Sequence, residues 1–484
     1  MISPKLVEVG RHLNIELLTN TQLEALEGEE GDFTAKIREN PRYIDIEKCT
    51  SCGECAKVCP VEVPSEHDKG LSMRRAAFKQ YEQAIPGAYG ISKRSVAPCK
   101  ATCPAHVSIQ GFVALMNQGK HAEALQLFKQ EHPFPGSCGR VCHHPCEAEC
   151  TRGDLDEPVA IQYLHRFLSD LDLEAEEPFV PEIQEKREEK VAVVGSGPAG
   201  LSAAYFLAIK GYTVKVFEKL PVKGGMMAVG IPEYRLPKQE LEREISIIEK
   251  LGVEIETGVE FGVDVTLESL EKEGYGSVFV ATGLHGSRSL GIEGEDLSNV
   301  MPGVGFLRDA ALGKAPALSG KTVVIGGGNV AVDVALTAKR LGAEEVSMVC
   351  LEARDEMPAW DYEIEEALEE KVTIVNSLGP KEFVGKNGSL SAVEFKRCTS
   401  VFDEQGRFNP AYDENDITSM DADHVIVAIG QMGEMEFADK ESIPVSNKGG
   451  LEADPVTLHT PISWEFTGGD AYYGPKSVVD AVAS

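Results

Sequence analysis

The stretch that decides the fold is Lys190-Val191-Ala192-Val193-Val194-Gly195-Ser196-Gly197-Pro198-Ala199-Gly200. Its apolar, β-branched start predicts a buried strand, and three glycines in the spacing G-x-G-x-x-G turn that strand tightly into a helix running from Leu201 to Lys210. Gly195 permits the turn, Gly197 lets a pyrophosphate approach the backbone at the helix N-terminus, and Gly200 lets helix and strand pack closely, with Pro198 and Ala199 completing the loop. A second strand, Thr213-Val214-Lys215-Val216-Phe217, ends in Glu218, whose carboxylate is placed to accept both hydroxyls of an adenosine ribose. This is a dinucleotide-binding unit.

The same unit recurs downstream. A strand Thr322 to Ile325 leads into Gly326-Gly327-Gly328-Asn329-Val330-Ala331, a helix to Arg340, and a strand Glu345-Val346-Ser347-Met348-Val349. Both copies keep their phosphate-facing glycines, so two bound dinucleotides are expected rather than one site and one decayed relic. After the second copy, Val349-Cys350-Leu351-Glu352-Ala353-Arg354 puts the Glu352 carboxylate near the ribose 2′ position, where it would repel a 2′-phosphate. NADH is therefore favoured over NADPH, although Arg354 offers a guanidinium within reach of a phosphate.

Upstream, ten of the twelve cysteines precede residue 151, and four are spaced Cys49-x2-Cys52-x2-Cys55-x3-Cys59-Pro60. Three thiolates at intervals of three follow one tight loop, and a fourth closes it before proline, as in a [4Fe–4S] site. A structural zinc site would show two separated Cys pairs instead, and a disulfide framework does not suit a chain this long with no signal peptide. A one-electron carrier thus stands beside two-electron hydride chemistry, in a chain expected in a reducing cytoplasm.

Composition bounds the rest. With 484 residues, 42% hydrophobic content and 47 glycines, the chain is expected to form three or four globular domains. A formal charge of −31 argues against nucleic acid as a partner, and no apolar run reaches the ~18 residues of a membrane helix. Short apolar runs such as Ile15-Glu16-Leu17-Leu18 and Phe33-Thr34-Ala35-Lys36-Ile37 predict small strands leading into the cluster loop. From about 72 to 188 the period is helical, as in Ile109 to Met116 and His121 to Phe128, and the acidic stretch Leu171 to Lys190, with Pro178 and Pro181, reads as a linker. The run Glu363 to Glu370 reads as a solvated helix face, and Cys350 and Cys398 as buried small side chains.

Residues from about 95 to 484 resemble the glutamate synthase small subunit family, which includes the flavin-bearing half of dihydropyrimidine dehydrogenase and the large subunit of NADH-dependent ferredoxin:NADP oxidoreductase. The resemblance rests on Cys99-Lys100-Ala101-Thr102-Cys103-Pro104, on Cys138 to Cys150, and on Gly224-Gly225-Met226 through Arg235-Leu236-Pro237. Ala281-Thr282-Gly283, Met357-Pro358-Ala359, Ala428-Ile429-Gly430-Gln431 and Gly468-Gly469-Asp470 add to it. It implies FAD in the first site, with Lys219, Gly225, Met226, Arg235, Ala281, Thr282, Gly283, Gly469 and Ser477 around it and Asp470 on its ribityl chain; it implies NAD(P)H in the second, near Gly430.

The same resemblance implies two clusters in the helical region. Cys103, Cys142 and Cys146 match three ligands of one, whose fourth is not cysteine in relatives; His165 occupies about that position, and ligation or ordinary packing both stay open. For the other, only Cys99 and Cys150 match, Ser92-Lys93-Arg94-Ser95 replaces two upstream cysteines, and Cys138 is an additional thiol. Residues 1–65, notably Asn40 to Asp45 and Cys55 to Pro64, resemble the ferredoxin-like segment of heterodisulfide reductase.

The expected fold is therefore α/β: two Rossmann-type dinucleotide-binding domains preceded by an α-helical iron–sulfur domain and a small ferredoxin-like module. The expected boundaries are 1–71 for the module, 72–188 for the helical domain and linker, 189–310 plus 425–484 for FAD, and 311–424 for NAD(P). The expected function is an oxidoreductase component passing electrons between NADH (or NADPH) and the clusters of a partner, with electron bifurcation one option. Partners would be other electron-transfer subunits or ferredoxin in a hetero-oligomer, without nucleic acid or direct membrane insertion. The competing readings are a non-catalytic scaffold and the small subunit of glutamate synthase. Relatives continue the helix that starts near Ser477, which implies that the chain ending at Ser484 is a truncated piece.

Overall fold

The strand Lys190–Val194 is the centre of a five-stranded parallel sheet in the order Glu465–Thr467, Tyr275–Val280, Lys190–Val194, Thr213–Glu218, Glu254–Thr257. Residues Val191 to Val194 are all buried, as expected of a strand covered on both faces, and that is why its apolar run is continuous rather than alternating. The structure, a computed structural model, describes residues 3–93, 96–386 and 388–484. By its contacts the chain forms two units, one of residues 1–103 with 144–160, the other of residues 104–143 with 161–484.

Within the second unit a further parallel sheet has the order Val300–Pro302, His424–Val427, Lys321–Ile325, Glu345–Val349, Thr373–Val375. Its side chains divide by the strand period of two. Val324, Met348 and Ile426 pack beneath the helix Asn329–Arg340, whereas Val323, Ile325, Val349 and Val425 pack against Phe383, Val393 and Phe395. Those phenylalanines belong to an antiparallel sheet of Leu378–Lys386, Ser389–Phe402 and Phe408–Asp421, which covers the face that the helix leaves open.

The same unit holds the helices Ile109–Asn117, His121–Lys129, Pro135–Val141 and Ile161–Leu173. Phe112 and Phe128 meet edge to face at 5.6 Å, and the Tyr205 hydroxyl donates to the Lys129 carbonyl at 3.0 Å, which fastens this helical group to the nucleotide-binding part. The expected linker is in part helix, since the last helix runs to Leu173. Asp172 then accepts the Phe179 N–H at 2.9 Å and pairs with the buried Lys129 at 3.3 Å, so this acidic stretch is anchored.

In the first unit one of the two expected runs forms a strand, Phe33 to Ile37 lying within Asp32–Glu39, and the other does not. Residues Ser3–Arg11 are helical, Ile15 to Leu18 form no strand, and the pairing occurs between Thr21–Glu29 and Asp32–Glu39. The reason is the turn: Gly31 takes φ +93°, which fixes the hairpin around Glu30-Gly31 and leaves the earlier apolar run without a partner strand. Among the described residues no helix is long and apolar enough to cross a membrane.

Glu465 on the outermost strand of the first sheet is fully buried; one carboxylate oxygen accepts from the Thr460 hydroxyl at 3.1 Å and the other has no hydrogen-bond partner. Burial raises its pKa from 4.5 to about 7. A raised folded-state value means stability is fully present below the unfolded value and is lost as pH rises through the folded one. Glu465→Gln is therefore expected to raise the melting temperature at about pH 8 and change it little at about pH 5. Equal shifts at both pH values in a thermal-melt series would refute this.

Candidate functional site: two glycine loops and a thiol-bearing helix

A cavity opens at the carboxyl ends of the first sheet. Its lining includes Gly195, Gly197, Pro198, Ala199, Glu218, Lys219, Gly225, Met226, Ala281, Thr282, Gly283, Gly469, Asp470 and Ser477, all singled out by sequence. Gly200 lies beneath: a methyl group there would stand 2.0 Å from the Gly195 carbonyl oxygen. At Gly197, by contrast, a methyl group would meet no protein atom within 4 Å, so this position faces open space. Arg235 is not among the lining residues.

Glu218 is committed in part to the protein. One oxygen accepts the Ser196 N–H at 2.8 Å and the Ser196 hydroxyl at 2.6 Å; the other accepts the Leu220 N–H at 2.8 Å and keeps capacity for a further donor. Ser196 in turn accepts from Gly224 N–H at 3.0 Å, so the glycine turn and the Gly224-Gly225 segment are locked to one carboxylate. Burial raises Asp470 to about 7, opposed by the Lys476 N–H. Thr282 Oγ1 and His285 Nδ1 are buried in this lining without hydrogen-bond partners. Unsatisfied polar atoms in a large, partly apolar cavity fit a polar, ring-bearing ligand of dinucleotide size. His285, Arg308 and Lys440 also line it and were not foreseen; Arg308 comes from the helix Gly303–Ala311, Lys440 from the helix Glu436–Glu441 and His285 from the loop after Tyr275–Val280, with no local motif to mark them.

The second loop has the same construction. Gly326 takes φ +143°, and a methyl group there would meet the Ala428 carbonyl oxygen at 2.3 Å. A methyl group on Gly327 would stand 2.7 Å from a Glu352 carboxylate oxygen, so that carboxylate does sit beside the glycine loop. Arg354 is exposed and pairs with Asp361 at 3.6 Å. The Gly430 carbonyl accepts from Arg288 N–H at 3.1 Å, and Val330 is half-buried at the start of the helix. Cys350 and Cys398 are buried, 3% and 6% exposed.

Of the cysteines, Cys138 and Cys142 belong to the second unit, at the helix Pro135–Val141 and its C-cap. That helix is held at its other end by a buried carboxylate from Lys238–Lys250. Glu244 accepts Gly136 N–H at 2.6 Å, Ser137 N–H at 2.8 Å and the Ser137 hydroxyl at 2.6 Å. Burial raises the Glu244 pKa, and these three donors oppose the shift. Gln162 donates to the Cys142 carbonyl at 2.8 Å. His165 is buried, with Nδ1 at 2.9 Å from the Pro135 carbonyl and its ring stacked on Phe128 at 5.1 Å; burial lowers its pKa to about 4.

In the first unit, Cys49, Cys52, Cys55 and Cys59 follow one loop, with Cys55 in the short helix Glu54–Lys57 and Gly53 at φ +84°. Hydrogen bonds from the Glu54 backbone and the Thr50 side chain lower the Cys52 pKa, which favours a thiolate. Desolvation raises Cys99, and the neighbouring Cys150 and Cys103 add to the shift, so these three thiols lie within electrostatic reach. Cys146 is buried in the helix Pro145–Ala148. Arg94 and Ser95 lie outside the described residues. Among those described no cysteine is in a disulfide, and no three His, Cys, Asp or Glu side chains are grouped to hold a metal ion. A cubane sets its four ligands at separate corners, wider apart than ligands of a single ion, and a consecutive all-thiol loop with N–H donors fits that group.

The fold and these two glycine loops define a flavin- and pyridine-nucleotide-binding oxidoreductase class, and the chain belongs to the pyridine nucleotide-disulphide oxidoreductase family, whose model matches residues 189–484. Within it, the chain is similar to the glutamate synthase [NADPH] small chain of Escherichia coli (strain K12), 32% identical over 411 residues covering 80% of this chain and 85% of that one. Residues 72–177 match dihydropyrimidine dehydrogenase domain II, 4Fe-4S cluster, and residues 42–65 match a 4Fe-4S binding domain. The NADP(+)-dependent formate dehydrogenase subunit beta of Moorella thermoacetica is 42% identical over 412 residues, 80% of this chain; the chain spans 58% of that relative's length. Mycobacterium tuberculosis FprA in complex with NADPH shares the fold, with a TM-score of 0.54 at 20% identity over 61% of this chain and 83% of that one. FAD and [4Fe–4S] clusters are accordingly the cofactors of this chain.

Two substitutions separate ligand binding from folding. Gly197→Ala has φ −69° and open space around the new methyl, so its melting temperature without cofactor should match wild type while FAD retained through gel filtration falls at least ~tenfold. Glu244→Ala leaves three donors at Gly136 and Ser137 unsatisfied and should cost ~3 kcal/mol in denaturant unfolding, with Glu244→Gln costing less because its carbonyl still accepts. A Glu244→Ala protein as stable as wild type would refute the capping role.

Proposed function

We propose that this chain is the FAD and iron–sulfur subunit of a multi-subunit complex, passing electrons between a nicotinamide dinucleotide and clusters of a partner. The observation that carries the reading is the placement of the cavity, the second glycine loop and the thiol-bearing helix in one unit, with Glu244 binding that helix to the nucleotide-binding part. FAD, when bound, supplies the conversion between hydride transfer and single-electron release. The chain's own residues hold and orient: Glu218 and Ser196 fix the turn under the dinucleotide, and Asp470, Thr282 and His285 offer polar atoms to it. Cys49, Cys52, Cys55 and Cys59 would hold one cluster, and the thiols at Cys99, Cys103, Cys138, Cys142, Cys146 and Cys150 one or two more, in keeping with a reducing cytoplasm. In this reading His165 is a packing residue, since Pro135 and Phe128 already engage its ring.

For the second loop we favour NADH, because Glu352 stands against Gly327 where a 2′-phosphate would be repelled. The competing reading is NADPH held by the exposed Arg354, and the names of the two relatives above speak for it. A glutamate synthase small subunit remains the alternative assignment for the chain, supported by the 85% coverage of that relative.

Anaerobic stopped-flow with NADH and NADPH, following flavin absorbance and then cluster signals by EPR, tests the whole reading. Flavin bleaching by NADH ahead of cluster reduction is expected, with Glu352→Ala improving the NADPH reaction ~tenfold. Faster reaction with NADPH in wild type would reverse the nucleotide assignment, and no bleaching by either would remove the dehydrogenase role.

A further inference from the structure

The run Glu363 to Glu370 contains a residue that does not behave as a solvated face. Glu363 is 2% exposed, and its two oxygens serve two different parts of the chain. One accepts from Arg235 Nη2 at 2.6 Å; the other accepts from Asn329 Nδ2 at 2.6 Å. Asn329 is the first residue of the helix after the Gly326-Gly327-Gly328 loop, so its side chain stands at the second dinucleotide site. Arg235 closes the segment that starts at Gly225 and Met226, which line the first cavity.

The far end of this link is fixed. Arg235 Nη1 also donates to both Asp333 oxygens, at 2.9 and 2.8 Å, while Lys238 donates to the carbonyls of Met227 and Ile231 and so stiffens the segment between Met226 and Arg235. Side-chain hydrogen bonds thus run from Asn329 through Glu363 to Arg235, and the chain itself leads from Arg235 back to Met227 and Met226 on the wall of the first cavity. A phosphate arriving at the helix N-terminus competes for amide donors there. If Asn329 turns its N–H toward that phosphate, Glu363 loses one of its donors and its hold on Arg235 changes.

We propose that Glu363 is a positioning residue that transmits occupancy of the second dinucleotide loop to the flavin-facing segment Gly225 to Arg235. The inference rests on the assignment of two dinucleotides made above. A purely structural bolt would contribute stability without coupling the sites; a relay makes binding at one loop visible at the other.

The test uses the FAD-loaded full chain with the non-reducing probes NAD+ and NADP+, binding measured by calorimetry and the flavin environment by difference absorbance at saturation. In wild type, saturation is expected to shift the flavin band. Glu363→Gln, nearly isosteric, should keep the dissociation constant within ~threefold and lose at least ~half of the flavin response, and Arg235→Lys, which keeps the charge but not the fork, should do the same. A full flavin response in both variants, or binding to wild type with no response, overturns the relay alone. No binding of either nucleotide to wild type by calorimetry overturns the dinucleotide assignment, and the relay with it.

Discussion

One steric constraint, imposed twice, organises the nucleotide-binding part of this protein. In each copy the first glycine of the loop faces a backbone carbonyl across the sheet: a methyl group on Gly195 would stand 2.4 Å from the Ala281 oxygen, and one on Gly326 would stand 2.3 Å from the Ala428 oxygen. Both carbonyls directly follow the strand paired with the glycine-bearing strand, Tyr275–Val280 in one sheet and His424–Val427 in the other. The absence of a side chain lets the chain leave one strand and pass against the end of its neighbour. From that contact follow the positions of the two helices, the Ala281-Thr282-Gly283 and Ala428-Ile429-Gly430 turns, and the opening above the first sheet.

Buried carboxylates then join the parts. Glu218 binds the glycine turn to the Gly224-Gly225 segment through Ser196, Glu244 caps the helix that leads to Cys138, and Glu363 and Asp333 enclose Arg235. Burial raises Asp333 to about 6 against the pull of Arg235, whereas for Arg235 itself the two carboxylates more than offset the effect of burial. Glu218 and Glu244 are held by N–H and hydroxyl donors, and Asp333 and Glu363 by the Arg235 guanidinium, which offsets the cost of taking these carboxylates out of water. Each of them here connects segments more than twenty residues apart in the chain.

The two strands that open each five-stranded sheet were legible from short-range pattern, because apolar strand, glycine turn, helix and second strand lie within about thirty residues, the span of one strand–helix–strand unit; the remaining strands come from distant segments and carried no such signal. The lining of the first cavity was legible to the same degree, as Gly197, Glu218 and Asp470 sit in motifs. His285 and Arg308 were not, since neither carries a local signal and only the sheet topology brings them there. Glu363 and Glu244 were misread or passed over for a different reason. Each falls on the apolar stripe of its helix, Glu363 beside Ile364 and Ala367, Glu244 beside Leu241, Ile245 and Ile248. The helical period does mark both positions, but a charge count overrides it. The strand expected at Ile15 to Leu18 failed because strand pairing is decided by the nearest competent turn, here Gly31.

The antiparallel sheet that covers the second nucleotide fold ends on the strand Phe408–Asp421, which among the described residues has a neighbouring strand on one side only. An unpaired strand edge of fourteen residues is a template onto which another chain can add. Asp413, Glu414, Asp416 and Asp421 lie along it, in a chain already carrying −31 charges. Glu414 and Asp421 are paired with Lys396 and Lys321, while the strand as a whole keeps an excess of carboxylates. The repulsion that this margin offers to a second strand of like charge is strongest at low ionic strength and is screened as salt rises.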